Sequence, residues 1–160
     1  MRDFNLKKKF DLILIGFNSF LHLLNNTDAS NCLQSIKKHM HSNTKFIIDI
    51  YIPHPLFLYR NKQVQIPVLE YKCSNTSEYI YVKETNEYNP ESEINNISWY
   101  FYSKLNKLLM TSNFSVRMYY PSTMTTLIVD AGLQIKNIWG RYDKTPINEG
   151  SKLQIYDIQL

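Results

Sequence analysis

The sequence predicts an α/β fold: a partial Rossmann-like sheet with a parallel strand-helix-strand unit and a closing antiparallel hairpin, interrupted by an antiparallel β insertion. Three observations predict it. Leu12–Ile15 and Phe46–Ile48 are apolar without alternation, as in parallel strands buried between two helical layers. The residues between them carry apolar side chains at helical spacing. From 62 to 120 the pattern changes to alternating aromatic and β-branched residues broken by polar turns.

The elements follow in order. After the first strand, Thr27 is the expected cap of a helix whose buried face is Ala29, Leu33, Ile36 and Met40. Asp28 suits its positive first turn, and Lys37, Lys38, His39 and His41 suit its negative last turn. Ser42-Asn43-Thr44 then turns into a second strand, Lys45 to Tyr51. Strand, helix and strand with short connections make a right-handed parallel crossover. Antiparallel strands are expected at 63–72, 78–85, 97–102 and 114–119, with a loop from Asn89 to Asn96. Within them, alternation puts Trp99 and Phe101 on one face and Tyr100 and Tyr102 on the other. A last helix, 122–131, is expected to be capped by Ser122 and ended by Gly132. Strands at 134–139 and 152–159 close the chain.

Composition bounds the function. At 160 residues and 44% hydrophobic content, the chain supports a single domain with a real core. A net charge of +4, with Lys7-Lys8-Lys9 as the only basic run, argues against nucleic acid and reads as a solvated turn before a strand. Cys32 and Cys73 lack metal-ligand spacing and read as reduced thiols of a cytoplasmic protein. His39 and His41, two apart on a helix, point to different faces, so no metal site is expected there. Asp11, Asn18, Ser19 and His22 interrupt the apolar run after the lysines, and no small-residue cleavage site follows. Neither a signal peptide nor a membrane anchor is expected. The Asn-x-Ser/Thr matches at Asn25, Asn75, Asn96 and Asn113 are what chance gives in a chain this rich in asparagine.

Several segments carry a resemblance. Met1-Arg2-Asp3-Phe4 followed by the run Phe10 to Leu23, the helix and strand through Asp49, and the tail from Arg117-Met118-Tyr119-Tyr120-Pro121 through Ala131-Gly132-Leu133 to Trp139-Gly140-Arg141-Tyr142-Asp143 resemble class I S-adenosylmethionine (SAM)-dependent methyltransferases. The resemblance covers nearly the whole chain and implies the C-terminal half of such an enzyme. Phe10 to Gly16 becomes the fourth strand of a seven-stranded sheet, Phe46 to Tyr51 the fifth, and residues 134–160 the closing hairpin. Residues 62–120 resemble the lid of small-molecule N-methyltransferases acting on amines such as amino sugars.

The resemblance also implies roles. Met1, Arg2, Asp3 and Phe4 match the segment that closes over the cofactor's adenine, and Phe17 and Asn18 match positions facing the transferred methyl. Ser19, Arg117, Tyr119 and Tyr120 fall on the acceptor side. Methyl transfer needs in-line positioning plus a base if the amine arrives protonated, and His22 is the candidate base. The alternative readings are a packing or surface role for His22, and strand packing for Arg117, Tyr119 and Tyr120.

The cofactor-gripping half of the pattern is missing from the sequence. A Rossmann-like site needs a glycine-rich turn after its first strand and an acidic residue after its second. The chain has four glycines, at 16, 132, 140 and 150, and no two build that turn. The missing part amounts to about three βα units, roughly 90 residues at about 30 each. The expectation is a truncated or degenerate methyltransferase, with two alternatives: one half of a split enzyme, or a non-catalytic binding subunit of the same fold. In the family's strand order the missing first strand lies beside Leu12–Ile15, so this strand becomes an unprotected apolar edge. A homodimer or a partner chain is expected there.

Overall fold

The computed structural model describes residues 1–74 and 77–160. In chain order its elements are β1 (Leu12–Ile15), α1 (Asn26–Lys38), β2 (Lys45–Tyr51), α2 (Pro55–Leu58), β3 (Ile66–Lys72), β4 (Tyr79–Asn89), β5 (Ile94–Ser103), β6 (Leu108–Arg117), α3 (Pro121–Asp130), β7 (Gln134–Trp139) and β8 (Leu153–Gln159). A single 3-10 turn, Ser19–His22, follows β1. The fold is α/β and divides into two units, Met1–Pro53 with Arg117–Leu160, and His54–Val116. Asn75 lies outside the described residues.

The first unit is a four-stranded sheet in the order β1-β2-β8-β7. β1 runs parallel to β2, registering Leu12 with Lys45 and Ile15 with Ile48, whereas β8 is antiparallel to both β2 and β7. One face is closed. Phe46, Ile48 and Ile50 of β2 and Tyr156 and Ile158 of β8 are buried there with Ala29, Leu33, Ile36 and Met40, the helical stripe read from the sequence. The opposite face differs from expectation. Leu12 and Leu14 are 61% and 62% exposed, because no described helix lies over that side of β1. Toward β8 that face is closed instead by local polar pairs, among them Tyr142 Oη donating to Asp49 Oδ2 at 2.7 Å and Lys45 Nζ lying 3.6 Å from Asp157 Oδ2.

Two helix starts move by a residue or two. Asn25, not Thr27, caps α1: its backbone is extended and its Oδ1 accepts the Asp28 N–H at 2.8 Å, while Thr27 already lies in the first turn. α3 begins at Pro121, whose ring presets the helical φ and whose missing N–H costs nothing there, so Ser122 is inside the helix. Its end is as read. Gly132 takes φ +68°, and Lys37 Nζ donates to the carbonyls of Ala131 and Gly132 at 3.0 and 2.9 Å.

The second unit is an antiparallel sheet in the order β3-β4-β5-β6. β4 and β5 run further than expected, to Asn89 and from Ile94, and leave a tight turn where a loop was read. Asn89 Oδ1 accepts the N–H groups of Glu91 and Ser92 at 2.9 and 3.1 Å, which folds the turn locally. Across β4 and β5, Val82 registers with Phe101 and Glu84 with Trp99, so these four share one face. Glu84 is buried there and held by Arg60 Nη2 at 2.5 Å and Trp99 Nε1 at 2.7 Å. The Arg60 guanidinium also lies 4.6 Å over the Phe57 ring.

Candidate functional site

The candidate residues gather in two places, both within the first unit. The first is the strap Met1–Phe10, which follows α1 and meets β1. His39 holds it: its Nε2 accepts the Leu6 N–H at 2.8 Å, its carbonyl accepts the Phe10 N–H at 3.0 Å, and the Phe4 ring stacks on the imidazole at 4.9 Å. Arg2 adds an exposed pair with Asp28 at 3.2 Å. Asp3 is exposed, and Met1 and Phe4 line an apolar groove of about 350 Å³ whose floor is β1. Of the four residues matched to adenine closure, two therefore face a cavity.

The second place is the carboxyl end of β1 and β2. Phe17 and Asn18 both adopt left-handed backbone, φ 54° and 58°, a conformation that non-glycine residues rarely take and that often marks a functional turn. Asn18 Oδ1 accepts the Tyr51 N–H at 2.8 Å and Ser19 Oγ donates to Gly16 O at 2.7 Å, so these bonds lock the turn. Phe17 is consequently held out of the chain, 98% exposed. His22 ends the 3-10 turn on the exposed side.

Residues 117–120 come to the same end. Tyr119 is wholly buried, its hydroxyl donating to Leu23 O at 2.5 Å and its ring meeting Phe20 edge-on at 5.2 Å. Arg117 Nη1 donates to Asn26 Oδ1 at 2.6 Å, with its guanidinium 4.8 Å over the Tyr119 ring. Tyr120 sits at the N-cap of α3. Arg117 and Tyr119 thus both make contacts within the chain.

Sequence reasoning missed the residue that ties this end together. Gln154 is fully buried in β8; its Nε2 donates to the carbonyls of Tyr119 and Tyr51 at 2.7 and 3.3 Å, and its Oε1 accepts from Tyr156 Oη at 2.8 Å. Burial pushes the Tyr156 phenol up to about 12, more than a side-chain hydrogen bond with Thr125 lowers it, so it stays a donor. The available signal was a glutamine on the same strand face as Tyr156 and Ile158. Among the described residues no group of three histidine, cysteine or acidic side chains is placed to hold a metal ion, and no helix is long and apolar enough to cross a membrane.

The fit to a nucleoside cofactor is one-sided. Met1, Phe4 and Phe17 offer apolar surface, but Asn18 and Ser19 spend their side-chain oxygens on backbone groups, and Arg2 is paired with Asp28. None of these groups is placed to hold ribose hydroxyls or an amino-acid carboxylate, so no transfer step follows for these residues alone.

The fold is similar to part of that of solved SAM-dependent methyltransferases. The chain superposes on the CcbJ methyltransferase of Streptomyces caelestis with a TM-score of 0.78 at 12% identity, covering 99% of this chain and 60% of that one. A SAM-dependent methyltransferase of Clostridium acetobutylicum gives 0.75 at 16% identity, covering 99% and 61%. A SAM-bound amino pentose methyltransferase of Micromonospora echinaspora, involved in calicheamicin biosynthesis, gives 0.64 at 11% identity, covering 98% and 61%. The chain thus spans about three-fifths of the length of these structures. No family model matches the sequence, and no curated protein matches it.

Proposed function

We propose that this chain is the acceptor-side portion of a SAM-dependent methyltransferase for a small-molecule amine, and that alone it does not methylate. In this reading the cofactor-gripping portion of such an enzyme lies outside these 160 residues. The observation that supports this most directly is a fold match over 97–99% of the chain but only about 60% of the methyltransferases. In this reading Met1, Arg2, Asp3 and Phe4 form the adenine-side strap, and Phe17 and Asn18 shape the methyl end. Ser19, Arg117, Tyr119 and Tyr120 frame the acceptor side, with residues 62–120 as the acceptor-side insertion. His22, exposed at the end of its turn, is the candidate base. A cytoplasmic setting accords with Cys32 and Cys73, neither of which is in a disulfide.

A second reading, a non-catalytic binding subunit of the same fold, draws on one observation. The side-chain oxygens of Asn18, Ser19 and Tyr119 all bond to the chain's own backbone. Calorimetry of the purified chain with SAM tests the main proposal. Binding no tighter than millimolar is expected, about 4 kcal/mol weaker than a micromolar site. A micromolar dissociation constant overturns it and makes the chain a self-sufficient binder.

A further inference from the structure

Within the second unit, the Glu84 side chain is 8% exposed and its two oxygens have separate partners. Oε1 accepts from Arg60 Nη2 at 2.5 Å and Oε2 from Trp99 Nε1 at 2.7 Å. The Phe57 ring lies 4.6 Å from the guanidinium, and Phe101 and Phe114 meet the Trp99 ring edge-on at 6.3 and 5.3 Å. A carboxylate set among aromatic rings is chemistry that recognises an organic cation, and here the chain's own guanidinium fills it. Arg60 fills it poorly. Its Nε and Nη1 are buried and meet no acceptor among the described residues, so most of the group's donors lack partners. Asn86, two residues along the same face of β4 and buried, has the opposite lack: its Oδ1 receives no donor. The spare donors and the spare acceptor are not paired with each other.

We propose that Glu84 and Asn86 bind the ammonium group of a small hydroxylated amine, and that Arg60 holds the site in the free protein and swings to solvent when the amine enters. The inference rests on the reading of the chain as the acceptor-side portion of an amine methyltransferase, and it names the residues that hold the amine's cation. The ammonium takes the place of the guanidinium on Glu84 Oε1, between Phe57 and Trp99, and a hydroxyl on the neighbouring carbon donates to Asn86 Oδ1. Both sides of the exchange favour it. An ammonium brings fewer donors than a guanidinium, so fewer are left unpaired. The displaced guanidinium, 12% exposed and so already close to the surface, regains water for Nε and Nη1. Glu84 keeps a counter-charge throughout, and a buried carboxylate without one is the costly state.

The test titrates the whole chain with ethanolammonium chloride, and with ethylene glycol as the neutral analogue, at an ionic strength held constant with sodium chloride. NMR should show a saturable shift of the Trp99 Nε1–H signal, and the Arg60 Nε–H should exchange with water at least about tenfold faster as the guanidinium leaves. Ethylene glycol should do neither. In Arg60→Ala nothing has to be displaced, so ethanolammonium should bind at least about tenfold more tightly than to the parent. Its denaturation midpoint should then rise with ethanolammonium and not with sodium. Arg60→Met with Glu84→Gln, which leaves no buried charge unpaired, should not bind the cation. The parent and this double variant decide the matter without relying on the stability of Arg60→Ala. No saturable shift in the parent, an equal response to ethylene glycol, or binding that survives in the double variant overturns the proposal and leaves Arg60–Glu84 a structural pair. None of these outcomes touches the methyltransferase-portion reading, which the SAM calorimetry decides; a micromolar SAM site would refute that reading while leaving the amine result standing.

Discussion

His39 Nε2 accepts the backbone N–H of Leu6 at 2.8 Å while its Nδ1–H donates to the Ser35 carbonyl at 2.6 Å. The two partners fix the neutral Nδ1–H tautomer, since Nε2 has to be an acceptor. A histidine 2% exposed, with Phe4 stacked on its ring and Phe10 tilted beside it, is therefore a structural clasp joining the strap to α1.

Removing the clasp should free the strap before it unfolds the domain. His39→Phe keeps the ring but strands the Leu6 N–H and the Ser35 carbonyl, at a cost of about 1–3 kcal/mol. Urea denaturation measures the loss. Hydrogen exchange should show Leu6 and Phe10 amides opening while the core amides of β2 stay protected; uniform loss of protection would contradict the clasp.

Tyr119→Phe separates a packing tyrosine from an acceptor-binding one. Deleting the hydroxyl leaves the Leu23 carbonyl unpaired in a buried site, so stability should fall by about 1–3 kcal/mol in thermal denaturation. A neutral substitution would mean that the hydroxyl is held for a ligand instead.

The Arg60–Glu84 pair predicts an asymmetry in the second unit. Arg60→Ala leaves the Glu84 carboxylate buried with only the Trp99 indole, and should cost about 3–5 kcal/mol. Arg60→Met with Glu84→Gln, which removes both charges, should be milder. Equal losses from the single and double variants would show that charge pairing is not what the site requires.

Cys32 supplies a pH dependence with a definite sign. Burial pushes its thiol from 9.0 up to about 11, partly offset by the positive amino terminus. Between those values the unfolded chain has released the proton that the folded chain keeps, so this stabilising contribution is complete below about pH 9 and is lost as pH rises toward 11. Denaturation midpoints should fall over that window, less steeply in Cys32→Ala. At pH 8 a thiol reagent should label Cys73 and spare Cys32 until the protein unfolds.

The sequence by itself determined which segments become strands and helices in the first unit. The doubly apolar β1 and β2 and the stripe Ala29, Leu33, Ile36 and Met40 are local patterns, and locally periodic side chains decide local structure. It also determined Gly132, since a left-handed helix end admits few other residues. Only the tertiary structure decided that one face of β1 lies bare, because burial depends on what packs against a strand and not on how apolar the strand is. Only it decided that Tyr119 and Arg117 hold Leu23 and Asn26, residues more than ninety positions away in the chain. The candidate site was legible as a set of residue types, but whether each side chain is offered to a ligand or spent on the backbone is fixed by long-range hydrogen bonds that no spacing encodes. Gln154 and His39 make the same point, for Gln154 reaches the carbonyls of Tyr51 and Tyr119 and His39 the N–H of Leu6, all far away in the chain.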